Sequence, residues 1–135
     1  MSSSQNKLLV RRLFDEVYNK GNLDAADDLI AKRYISHNKL SIEVTGPAGI
    51  KKAAAMQRKA FPDQVSRLED VIAEGDKVVV RGVDTGTHTG EPFMGMPAKG
   101  KTFTITWIDI FRVEKGKLAE AWLEMDVGDF RRQLA

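Results

Sequence analysis

The sequence predicts an α+β fold in which helices precede a mainly antiparallel sheet. Amphipathic segments occupy the first half of the chain, and the predicted helices span residues 7–19, 22–32 and 47–61. Strand-like runs separated by turn residues occupy the second half, at residues 65–73, 77–88, 103–113 and 118–126. We expect a strongly curved, mixed sheet that wraps around the N-terminal helices as a cone and leaves a pocket inside.

Length and composition are typical of a single domain spanning residues 1–135. The chain is 42% hydrophobic and 30% charged, as globular domains are. A net charge of +2 gives no reason to expect a nucleic-acid partner. The lack of cysteine excludes disulfides and thiol catalysis. We recognise neither a signal peptide nor a membrane span, so we expect a cytoplasmic protein without a membrane partner. Residues 1–6 are expected to be disordered.

The helical segments have recognisable ends. Apolar residues recur at helical spacing in the first segment, and they are Val10, Leu13, Phe14, Val17 and Tyr18. Gly21 suits the position after its end, and Asn22 is expected to cap the second helix. Tyr34 to His37 then forms a short extended stretch. Pro47 fits the first turn of the third helix, whose basic residues should face solvent: Lys51, Lys52, Arg58 and Lys59.

Asp109 is the leading catalytic candidate, because it lies within the most apolar predicted strand. Strand alternation places it on one face with Phe103, Ile105, Trp107, Phe111 and Val113. A carboxylate among large apolar side chains must be paired, hydrogen-bonded or protonated, and a raised pKa suits proton transfer. The alternative is structural, with Asp109 holding a neighbouring side chain such as Arg81.

The two histidines are further catalytic candidates. His37 is a possible general base or hydrogen-bond donor to a substrate carbonyl, and His88 lies near the end of its predicted strand. For His37, the alternative is a ring satisfied by backbone groups. Because the two histidines are far apart in the chain, we expect no metal site. Trp107 either stacks on a ring-shaped ligand and desolvates Asp109 or simply fills the core.

The expected pocket is apolar, and its ligand would be a hydrophobic small molecule. Its predicted lining residues are Phe14, Val17, Tyr18, Phe61, Phe93, Met94, Met96, Trp107 and Leu123. The three that lie in the Gly/Pro-rich loop (Phe93, Met94 and Met96) would form a flexible apolar lip, or else pack loosely there. On the outer sheet face, Ile108, Ile110 and Trp122 would make an apolar patch. We expect a homodimer to form through that face.

Several phrases of the chain carry a family resemblance. They are Ala60–Asp63, Glu74–Arg81, Gly86–Gly90, Phe93–Pro97, Phe111–Lys117 and Glu120–Asp126. In these phrases and in element order the chain resembles the SnoaL-like polyketide cyclase (ester cyclase) family of the nuclear transport factor 2-like superfamily. The resemblance extends from about Lys7 to Leu134 and implies the cone-shaped α+β fold.

The resemblance also implies a chemistry. Such cyclases close a polyketide ring by an intramolecular aldol reaction, with an acidic side chain moving protons and no metal or other cofactor. Their carboxylate corresponds to the neighbourhood of Leu123, which cannot move a proton, so Asp109 on the facing strand would have to replace it. The resemblance predicts a cofactor-independent enzyme of aldol cyclase, isomerase or hydrolase type acting on a hydrophobic carbonyl-bearing substrate. The alternative is a non-catalytic small-molecule-binding protein of the same fold.

Two neighbouring families use different residues. Ketosteroid isomerase-like proteins need a Tyr and a carboxylate where this chain has Phe14 and His37-Asn38. Limonene epoxide hydrolase-like proteins need an Arg-x-Asp pair, but here Arg81 is followed by Gly82-Val83. Only a meeting of Arg81, Asp109 and Asp126 in the fold would imitate that pair.

Overall fold

A computed structural model describes residues 2–135 and contains the helices and strands of the predicted α+β class. The helical elements are α1 (Ser3–Arg12), a π-helical segment (Leu13–Asn19), a 3₁₀ turn (Leu23–Ala25), α2 (Ala26–Leu29), α3 (Gly46–Ala60) and α4 (Val127–Leu134). The strands are β1 (Ile30–His37), β2 (Val65–Glu74), β3 (Lys77–Thr87), β4 (Thr102–Glu114) and β5 (Lys117–Met125).

The five strands form one mixed sheet in the order β1-β5-β4-β3-β2. Strands β2 to β5 pair antiparallel, whereas β1 runs parallel to β5. Within residues 2–135 the sheet stays open, with β1 and β2 at its edges. Helices α1 and α3 and the π-helical segment pack on one face of this sheet. The predicted mixed, mainly antiparallel α+β fold is confirmed.

Helix α1 begins earlier than the sequence pattern indicated. Ser2 Oγ accepts a hydrogen bond from the Gln5 backbone N–H (3.1 Å), and Gln5 Oε1 accepts one from the Ser2 backbone N–H (3.0 Å). This reciprocal capping satisfies two N–H groups that a helix start otherwise leaves free. Residues 3–6, expected to be disordered, therefore belong to the helix, and Asn6 is buried. Met1 lies outside the described residues.

The predicted second helix, residues 22–32, is wrong in its C-terminal part. The chain leaves the helical conformation at Ile30, where φ is −108° and ψ is 129°. Ile30 pairs with Leu118 on β5, and both side chains are buried. Packing a β-branched residue in a sheet stabilises the chain more than the last turn of an isolated helix would. The extended stretch predicted at 34–37 is thus the end of a longer strand.

Two apolar clusters fill the concave side of the sheet. The larger lies between the N-terminal helices and β3 to β5, and it includes Leu13, Leu29, Val78 and Phe111. The smaller is aromatic and joins α4 to the sheet through Phe61, Phe93, Phe103 and Phe130. No helix in the described part of the chain is long and apolar enough to cross a membrane. The cytoplasmic location stays a prediction.

The convex face of the sheet carries exposed apolar side chains. Ile108 and Ile110 on β4 and Trp122 on β5 are all partly exposed there, as strand alternation indicated. His37 stacks on Trp122, with ring centroids 5.6 Å apart. The homodimer expected at this face stays a prediction.

Candidate active site

A cavity of about 110 Å³ lies between the concave sheet face and the helices. Six of the residues predicted to line the pocket do line it, and they are Phe14, Tyr18, Phe61, Phe93, Trp107 and Leu123. Val17 is instead fully buried in the larger apolar cluster. Met94 and Met96 pack against the aromatic cluster at α4 rather than against the cavity. The cavity wall is built by the π-helical segment, α3, the loops and the sheet together.

Asp109 lies on the inner face of β4 and lines this cavity. Its exposure is 8%, and Oδ1 has no hydrogen-bond partner among residues 2–135. Burial raises the pKa of the Asp109 carboxyl well above its ordinary value of 3.8, while the Ile110 backbone N–H acts in the opposite direction. Such a group suits proton transfer because its ionised form is a stronger base than a solvated carboxylate.

The alternative pairing of Asp109 with Arg81 is wrong. Arg81 is exposed on the opposite face of the sheet, where its Nε donates to Asp70 Oδ2 at 2.7 Å. Asp126 is also engaged elsewhere, since its Oδ1 caps α4 by accepting from the Asp129 N–H at 2.9 Å. The fold therefore does not bring Arg81, Asp109 and Asp126 together.

Two tyrosines lie close to the Asp109 carboxyl. Tyr18 and Tyr34 both line the cavity, and burial followed by the charge of Asp109 raises the pKa of each phenol well above its ordinary value of 10. Both hydroxyls therefore stay protonated near neutral pH, and a phenolic O–H can donate a hydrogen bond to a ligand oxygen.

The π-helical segment sets the position of Tyr18. Arg58 Nη1 on α3 donates to the carbonyl oxygens of Tyr18 (3.0 Å) and Asn19 (2.9 Å), groups at the end of this segment. The Asn19 side-chain amide donates to the Ser66 carbonyl oxygen on β2 and accepts from the Ser66 backbone N–H, both at 2.8 Å. A seven-residue π-helix is rare, and such turns concentrate at functional sites. Arg58, expected to face solvent, is thus a partly buried positioning residue.

Three aromatic rings stack in a row along one side of the cavity. Phe14 stacks on Tyr18 with centroids 5.6 Å apart and on Trp107 with centroids 5.0 Å apart, both at 25° between ring planes. The Trp107 ring lies directly over Gly82 on β3, where any Cβ would overlap it. Its Nε1–H donates to Asp84 Oδ1 at 2.8 Å. Trp107 therefore serves both as packing and as cavity wall.

Asp84 is a cavity carboxylate that the sequence reasoning missed. Burial raises its pKa from the ordinary 3.8 to about 6, against hydrogen bonds from Ser66 and Trp107 that lower it. A usable signal was present in β3, because Val78, Val80, Gly82 and Asp84 alternate onto one face. Because the two valines on that face are apolar, the alternation would have predicted that Asp84 points inward. Four neutral polar residues of the wall were also missed, namely Ser36, Asn38, Gln64 and Ser66.

His37 lies outside the cavity. On β1 the side chains of Tyr34 and Ser36 face inward, so His37 points to the convex face, where nearly half of its side chain is exposed. Its Nε2 lies 2.7 Å from Glu120 Oε2. This placement removes His37 from the reach of a ligand bound beside Asp109.

His88 is completely buried but is also outside the cavity lining. Its Nε2 lies 2.8 Å from the Glu91 carbonyl oxygen and donates to it, since a carbonyl only accepts. The ring packs edge-on against Phe61, with centroids 5.0 Å apart. The three predicted catalytic residues, Asp109, His37 and His88, are therefore not brought together. Among residues 2–135, no three His, Asp or Glu side chains converge as a metal site would require.

Sequence comparison now places the chain in a family. Residues 8–134 match the sequence profile of the SnoaL-like polyketide cyclases. The chain belongs to this family. Two relatives of the chain are the aklanonic acid methyl ester cyclases DauD of Streptomyces sp. (strain C5) and DnrD of Streptomyces peucetius. Each is 31% identical over 116 residues, which cover 83% of this chain and 70% or 78% of the relative.

Solved structures share the SnoaL-like fold. TsrD from Streptomyces laurentii is 30% identical and superposes with a TM-score of 0.89, covering all of this chain and 98% of TsrD. IdmH from Streptomyces antibioticus is 28% identical with a TM-score of 0.78, covering 96% of this chain and 98% of IdmH. The cavity described above thus belongs to a SnoaL-like domain.

Proposed function

We propose that this SnoaL-like protein is an enzyme that uses Asp109 for acid–base chemistry on a hydrophobic carbonyl compound. The single observation that carries the proposal is the buried Asp109 carboxyl, which faces an apolar cavity with Oδ1 unpartnered among residues 2–135. The relatives are aklanonic acid methyl ester cyclases, which supports ring closure of a related kind. Neither metal nor cofactor is needed for this chemistry.

The reaction we propose is an intramolecular aldol addition. Ionised Asp109 removes a proton from the carbon next to one carbonyl, and the electron pair of that C–H bond becomes an enolate. The enolate carbon then bonds to the carbon of a second carbonyl, whose oxygen becomes an alkoxide. The alkoxide takes the proton back from Asp109, so the product is an isomer of the substrate and the carboxylate is regenerated.

The cavity supplies the remaining requirements. Tyr18 and Tyr34 provide neutral O–H groups near Asp109 for the developing enolate or alkoxide oxygen. The Phe14 and Trp107 rings offer flat apolar surfaces against which an aromatic or cyclic substrate can pack. A positioned acid–base group contributes about 10²–10⁴-fold to a rate. Loss of Asp109 should remove a factor of that size.

The test measures proton removal without requiring the natural substrate. 2-Tetralone is a bicyclic ketone whose acidic C–H groups exchange for deuterium in D₂O, and NMR follows that exchange. The wild type should accelerate it, whereas Asp109→Asn should lose about 10²-fold or more of the acceleration. Asp70→Asn, a matched carboxylate on the convex face, should exchange at the wild-type rate.

The outcomes separate the two functional classes. Equal exchange by the wild type and Asp109→Asn would overturn the proposal. Tight calorimetric binding of 2-tetralone by the wild type with no acceleration would favour the non-catalytic binding protein. If the wild type does accelerate the exchange, turnover of aklanonic acid methyl ester is the next measurement. Its cyclisation changes the chromatographic retention but not the mass.

A further inference from the structure

Gln64, in the wall of the cavity, carries a buried hydrogen-bond acceptor that has no partner among residues 2–135. The residue lines the cavity with 9% exposure. Its Oε1 is buried and lacks a hydrogen-bond partner within the described chain, residues 2–135. Burying a carbonyl oxygen without a donor is unfavourable. The oxygen is therefore a place where a ligand donor would bind.

Neighbouring side chains fix which way the Gln64 amide points. Its Nε2 donates to Gln57 Oε1 at 2.9 Å and lies 3.5 Å from Asp84 Oδ2. An ionised carboxylate only accepts hydrogen bonds. Rotating the amide by 180° would turn Oε1 toward the oxygens of Asp84 and Gln57. The observed orientation is thus the favourable one, and it leaves Oε1 free for a donor.

Two nearby donor groups are already committed. Trp107 Nε1–H bonds Asp84 Oδ1, and the Asn19 amide bonds the Ser66 backbone. Neither of these two donors is therefore available to Gln64 Oε1. We propose that Gln64 Oε1 binds a hydroxyl group of the ligand, so that the cavity selects hydroxyl-bearing carbonyl compounds.

The single free acceptor matches a neutral hydroxyl group. One hydroxyl satisfies Oε1 with its single O–H. This subsite deepens the proposed function, because it identifies a substrate feature in the same cavity, but its binding test does not require turnover.

The subsite is well separated from Asp109. Asp109 pairs with Val80 on β3, and Asp84 lies four residues further along that strand. At about 3.3 Å per residue, the two carboxylates are attached to the sheet roughly 13 Å apart. The hydroxyl would therefore lie at the end of the ligand remote from the reacting carbonyl.

Paired probes test the subsite by calorimetry. 1-Naphthol and naphthalene differ by one hydroxyl, and the wild type should bind 1-naphthol about five- to tenfold more tightly. In Gln64→Met this preference should fall to about onefold while naphthalene still binds. Asp109→Asn should keep the preference, because it leaves the subsite intact.

Each other result counts against the subsite. A preference that survives in Gln64→Met would overturn it, as would failure of the wild type to bind either probe. If Gln64→Met does not fold, a crystal structure of the wild type with 1-naphthol decides instead: its hydroxyl must lie within hydrogen-bond distance of Gln64 Oε1. Loss of deuterium exchange in Asp109→Asn alongside an unchanged preference in Gln64→Met would sink this inference and leave the proposed function standing.

Discussion

Asp109 and Leu123 are register partners on β4 and β5, and both side chains line the cavity. The family resemblance matched the cyclase carboxylate to the neighbourhood of Leu123. The carboxylate of this chain therefore lies one strand away on the same rung of the sheet, where the Cβ atoms of paired residues are about 4.5–5.5 Å apart. The cavity wall keeps an acidic group at that level, carried by the other strand.

This pairing predicts that the carboxylate can be moved across the rung. The double variant Asp109→Asn/Leu123→Asp should regain about tenfold of the 2-tetralone exchange rate that Asp109→Asn loses, because an acidic group faces the same cavity level again. NMR measurement of deuterium exchange checks the rate. If the double variant regains none of the exchange rate, the carboxylate must be on β4 itself for proton removal.

Asp84 should make stability depend on pH. Its pKa is raised from 3.8 to about 6 by burial, so the folded state binds more protons than the unfolded state between these values. The contribution of protonated Asp84 is fully present below about pH 4 and is lost as pH rises through about 6. The shift corresponds to about 3 kcal/mol.

Urea unfolding at several pH values checks this sign. The stability of Asp84→Asn relative to the wild type should rise between about pH 4 and pH 7 and then level off, since the variant has no carboxylate to ionise. Asp70→Asn, on the convex face, controls for removal of one charge. A relative stability that falls over this range would contradict the assigned direction of the pKa shift.

Gly82 should not tolerate a side chain. The Trp107 ring covers this position, so the Cβ of Gly82→Ala would displace the indole and its hydrogen bond to Asp84. We expect a loss of about 2–4 kcal/mol in unfolding free energy. The same substitution at Gly128 in α4 meets the end of the flexible Arg132 side chain at 3.3 Å and Asp126 Oδ1 at an ordinary contact distance of 3.4 Å, so it should cost nothing measurable or stabilise slightly. Equal effects at the two glycines would contradict the packing described here.

Arg58 should matter for stability although it lies on a basic helix. Replacing it by Met leaves the Tyr18 and Asn19 carbonyls without their shared donor, at a cost of about 1–3 kcal/mol. Lys59→Met, one residue along on an exposed position, should change unfolding free energy by less than about 0.5 kcal/mol. Thermal and urea unfolding of both variants provide the measurement. If Arg58→Met leaves the unfolding free energy unchanged, the π-helical segment holds its shape without the Arg58 hydrogen bonds.

The sequence was most informative where one periodicity dominated. Alternation along β4 predicted that Asp109 and Trp107 share the inner face and Ile108 and Ile110 the outer one, and both placements hold. The class of fold followed from the order of such segments. Apolar alternation is a local signal, so it survives without knowledge of the partners.

Other features depended on partners that the sequence does not reveal. Ile30 joined β1 because β5 lies beside it, and Arg58 turned inward because the π-helical segment leaves two carbonyls within its reach. His37 was a catalytic candidate with a structural alternative, because its short strand offered too few apolar neighbours to indicate which face is the inner one. These are tertiary effects that override local propensity.

The pH profile of 2-tetralone deuterium exchange tests the central claim most directly. Only ionised Asp109 can take a proton, so the wild-type rate, corrected for hydroxide catalysis, should rise with pH through a midpoint well above 3.8 and then reach a plateau. The midpoint should persist in Asp84→Asn and the rise should vanish in Asp109→Asn. A wild-type profile that Asp109→Asn reproduces would contradict the account.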